Sequence, residues 1–81
     1  MISFNNALDE ARKRISNWGS ISKIQNVTLV RDARGRISVY LEPTTGTNLA
    51  ESEIASLQYS LSASLGIFFQ GNVYTEDPNT W

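Results

Sequence analysis

The sequence predicts an α+β fold: a two-layer sandwich in the order α-β-β-α-β, with two helices on one face of a three-stranded sheet. Three observations predict it. Apolar residues recur at helical spacing in two separate segments, a strictly alternating run follows an Asp-Ala-Arg-Gly turn, and a short aromatic and β-branched segment closes the chain. With 81 residues there is room for one core and not two, so residues 1–75 are read as a single domain and 76–81 as a tail or the start of a linker.

The first helix is signalled by Leu8, Ala11, Ile15 and Trp18, which fall at spacings of three and four, with Asn5-Asn6 as the expected cap and Gly19 as the stop. Asp9 with Lys13 and Glu10 with Arg14 add acid-before-base pairs four residues apart on its exposed side. If Ile2-Ser3-Phe4 formed a strand ahead of this helix, the pattern would become β-α-β-β-α-β, the ferredoxin-like arrangement. The Asn pair leaves little room for it.

Val27, Thr28, Leu29 and Val30 favour a strand over Ile24 to Arg31. From Arg36 to Glu42 the alternation is strict: Ile37, Val39 and Leu41 point one way, and Arg36, Ser38, Tyr40 and Glu42 the other. Between them Asp32 offers a side-chain acceptor and Gly35 the positive φ that an antiparallel hairpin turn needs. Pro43 ends the second strand. Asn48 with Glu51 three residues on resembles a capping box, and Ala50, Ile54, Leu57, Leu61 and Leu65 then mark the buried face of a second helix that Gly66 stops. Residues 67–75 read as the last strand, with Gly71 marking a bulge.

The chain has no Cys and no His, which removes thiol chemistry, the commonest metal ligand and every triad that uses a His base. The adjacent carboxylates Asp9-Glu10 and Glu76-Asp77 do not converge on one atom, and no calcium-loop spacing occurs. The stretch Thr44-Thr45-Gly46-Thr47 lacks the Lys and the paired Gly of a phosphate loop, so helix capping accounts for it. Asn26-Val27-Thr28 fits the glycosylation pattern by chance. We expect no cofactor, no metal and no enzymatic activity.

Two surface features remain. Ser52, Ser56, Ser60 and Ser64 recur every four residues along the second helix, and the chain carries no charge from Ile54 through Thr75. A solvated helix face normally shows Lys and Glu, whereas small uncharged residues beside a Tyr let another backbone approach. Ser56, Tyr59, Ser60 and Ala63 are therefore the expected contact residues for a protein partner, and Tyr40 joins them on the uncovered face of the sheet. The second feature is a lopsided charge. The first 36 residues hold seven bases against three acids, a net +4, and the remainder holds five acids and no base, for a chain total of -1.

On these grounds we expect a non-catalytic protein-association module that binds a second copy of itself or a neighbouring domain. The alternative is a small nucleic-acid-binding module using Arg12, Arg14, Arg31, Arg34 and Arg36 on phosphates. An acidic pI near 5.2 and the lack of an aromatic RNA-binding strand weigh against that alternative. No apolar stretch is long enough to span a bilayer and no export signal opens the sequence, so membrane insertion is not expected and a cytoplasmic setting is.

Overall fold

The computed structural model describes residues 3–75. Helix α1 (Phe4–Ser16) is followed by a 3-10 turn at Ile21–Lys23 and the antiparallel strands β1 (Ile24–Arg31) and β2 (Ile37–Pro43). Helix α2 (Glu51–Leu65) then crosses back to β3 (Phe69–Tyr74), which lies parallel to β2. The sheet order is β1-β2-β3, so the fold is the small α+β arrangement expected, with a mixed sheet. The expected tail at 76–81 lies outside the described residues.

Helix α1 starts earlier than the Asn5-Asn6 pair suggests. Ser3 is its cap, its hydroxyl accepting the Asn6 N–H at 3.2 Å, and Phe4 is already helical. A Ser side chain fills this role as well as Asn does, and starting at Phe4 brings that ring edge-on to Phe68, 6.2 Å between centroids. Ser3 and Phe4 are thereby taken out of any leading strand, and the ferredoxin-like version is overturned. The helix also ends before Trp18, with Asn17 as its C-cap; Trp18 follows in a turn and is still buried.

The core holds Ala7, Ala11, Ile15 and Trp18 from the first helical segment. Ile37, Val39 and Leu41 join them from β2, Leu57, Leu61 and Leu65 from α2, and Phe69 and Val73 from β3. Ala7 replaces the expected Leu8 at full burial, and Leu8 packs at the edge. Two Ala residues one turn apart let α1 sit close to its neighbours, which is why the smaller side chain occupies the inner position. Val27, Leu29 and Ile54 are also only half-buried.

The turn forms as its residues dictate: Asp32 Oδ1 accepts the N–H groups of Arg34 and Arg36, each at 2.8 Å, and Gly35 takes φ +76°. Gly71 at φ +111° sits in a disruption of β3, where the pairs Ile37 with Phe69 and Val39 with Val73 leave β3 two residues longer than β2. That strand begins at Phe69 and not at Ile67, because Gly66–Phe68 first form a 3-10 turn. Ser38 is on the uncovered face as expected, yet only 6% exposed, since its small side chain lies between Val30 on one neighbouring strand and β3 on the other.

Candidate functional site

The N-terminus of α2 is organised by the Glu53 carboxylate, which the Asn48–Glu51 spacing does not point to. Its cap is Ala50, two residues after Asn48, and Glu53 stands where Glu51 was expected, its Oε1 accepting the Ala50 N–H at 3.0 Å. Ala50 has no side-chain oxygen to return the favour, so this is half of a capping box. Glu53 also receives the Ser20 hydroxyl and the Lys23 ammonium, the latter at 3.0 and 3.1 Å, while its carbonyl accepts Trp18 Nε1–H at 3.1 Å. The Ser20 hydroxyl first, then the Ala50 N–H and Lys23, hold its carboxyl down to about 2. This cluster pins the chain after α1 to the start of α2. It fixes how the two helices lie together, and every polar group in it is partnered, so it reads as structural.

Fixed in this way, the outer surface of the helix pair carries two adjoining grooves. One, of about 440 Å³, runs between Lys13 on α1, Asn17 at its C-cap and Ser56 on α2; the other, of about 430 Å³, reaches Tyr59, Ala63 and Ser64. Glu10, Arg14 and Ser60 line both. Arg14 Nε is 2.9 Å from Glu10 Oε1, and Lys13 adds a second cation to the lining of the first groove. Ser56 and Ala63 are exposed, Ser60 is half-buried at the groove floor, and Tyr59 stands 79% exposed. Ile67, just beyond the helix, is 78% exposed. The four α2 residues singled out from sequence are thus brought together on one surface, and Arg14 joins them.

Tyr40 is placed elsewhere. It lies on the opposite side of the sheet from the helices and stacks on Tyr74 at 5.0 Å, as the parallel register of β2 and β3 requires. The aromatic pair is a feature of the sheet and is not continuous with the α2 surface.

The basic residues divide among several environments. Arg12 and Arg14 are two residues apart on α1, about 200° around the helix axis, so Arg14 faces α2 while Arg12 lines a cleft with Ile15, Ile21, Val27 and Leu29. Arg12 also lies 3.6 Å from Asp9. Arg31 is stacked 4.4 Å over the Phe4 ring, and Arg34 and Arg36 belong to the hairpin turn.

Among the described residues no group of acidic side chains is arranged to hold a metal ion, and no helix is long and apolar enough to cross a membrane. Neither a protein-family model, nor a curated relative, nor a solved structure matches this chain.

Proposed function

We propose that this chain is a non-catalytic association module that pairs with a second copy through the outer face of α2. The observation that carries the reading is Tyr59: a ring 79% exposed, on a helix face that no charge interrupts and beside a groove floored by Ser60. An exposed aromatic flanked by small uncharged residues is what the centre of a protein interface requires, because charges there must be desolvated while a Tyr buries area and keeps its hydroxyl bonded. A neighbouring domain is the other occupant this surface fits. The setting we propose is cytoplasmic, in keeping with a small domain held by its apolar core and without disulfides. The nucleic-acid alternative is weaker, because Arg12 and Arg14 are turned into different clefts and each has a carboxylate beside it. Ser60→Lys tests the proposal: on a wet helix face it shifts stability by no more than about 0.5 kcal/mol, whereas at a packed contact it weakens association about tenfold or more.

A further inference from the structure

We draw no further inference here: the strongest candidate, the β1 edge of the sheet with the cleft that Arg12, Val27 and Leu29 line beside it, carries nothing because nothing among the described residues shows what covers it.

Discussion

The Lys23 ammonium lies 3.0 Å from the Glu53 carboxylate, across 30 residues of sequence, and joins the turn after α1 to the first turn of α2. Neither residue is fully buried, with side chains 39% and 23% exposed, so the pair matters less for its Coulomb energy than for the hydrogen bonds Glu53 collects around it. The carboxylate serves the Ala50 N–H, the Ser20 hydroxyl and Lys23 together. The surface proposed for association lies beyond this cluster, where α1 and α2 together line the grooves that hold Ser60 and Arg14.

The first prediction concerns acid. Glu53 has its folded value depressed from 4.5 to about 2, so the folded state favours the charged carboxylate. The resulting stability is fully present above pH 4.5 and is lost as pH falls through that value toward about 2. Chemical denaturation at a series of pH values should show the wild type losing stability over this window more steeply than Glu53→Gln. Parallel curves for the two proteins would remove Glu53 from the account.

A second prediction tests the packing of α2. Leu57 and Leu61 are 1% and 0% exposed, so truncating either to Ala leaves a cavity as well as removing buried methyls. Each change should lower stability by about 2 to 5 kcal/mol, a large share of what so small a domain has. Unchanged denaturation midpoints in both variants would mean that the helix turns its other side inward and that Ser60 is not at the surface.

Much of this was legible beforehand. The hairpin could be read from Asp32, Gly35 and the alternation after it, because turn chemistry and a period of two are local properties. The inward row of α2 followed equally from the spacing of Leu57, Leu61 and Leu65. What could not be read were choices decided by contacts distant in sequence. Ser3 caps α1 where Asn5 was expected, because Phe4 finds Phe68, and Glu53 prevails over Glu51 because Ser20 and Lys23 arrive from the other side of the fold. At the candidate site, sequence spacing put Ser56, Tyr59, Ser60 and Ala63 on one helix face, and they lie along the two adjoining grooves. It had no means of placing Arg14 beside the same grooves, although the alternation of β2 did put Tyr40 on the sheet face away from the helices.

The third prediction addresses the arginines. Were Arg12, Arg14, Arg31, Arg34 and Arg36 to act together on phosphates, affinity for short DNA or RNA would fall steeply with rising salt. Arg12 and Arg14 turn into different clefts, each beside a carboxylate, which leaves only Arg31, Arg34 and Arg36 together at the hairpin, few phosphate contacts for tight binding. Titration at low ionic strength, where screening is weakest, should therefore show no binding to either nucleic acid. Tight binding that weakens with added salt and is lost on Arg34→Ala or Arg36→Ala would favour the phosphate-binding alternative instead.

The association of the α2 face is tested most directly by the solution mass of the chain, measured by light scattering over a range of concentrations with and without Ser60→Lys. The account predicts that the chain approaches twice its 9.0 kDa monomer mass, and that adding Ser60→Lys shifts this association at least tenfold toward the monomer while Arg34→Ala leaves it alone. A chain that remains at 9.0 kDa at every concentration, or an association that Ser60→Lys leaves unchanged, would contradict it.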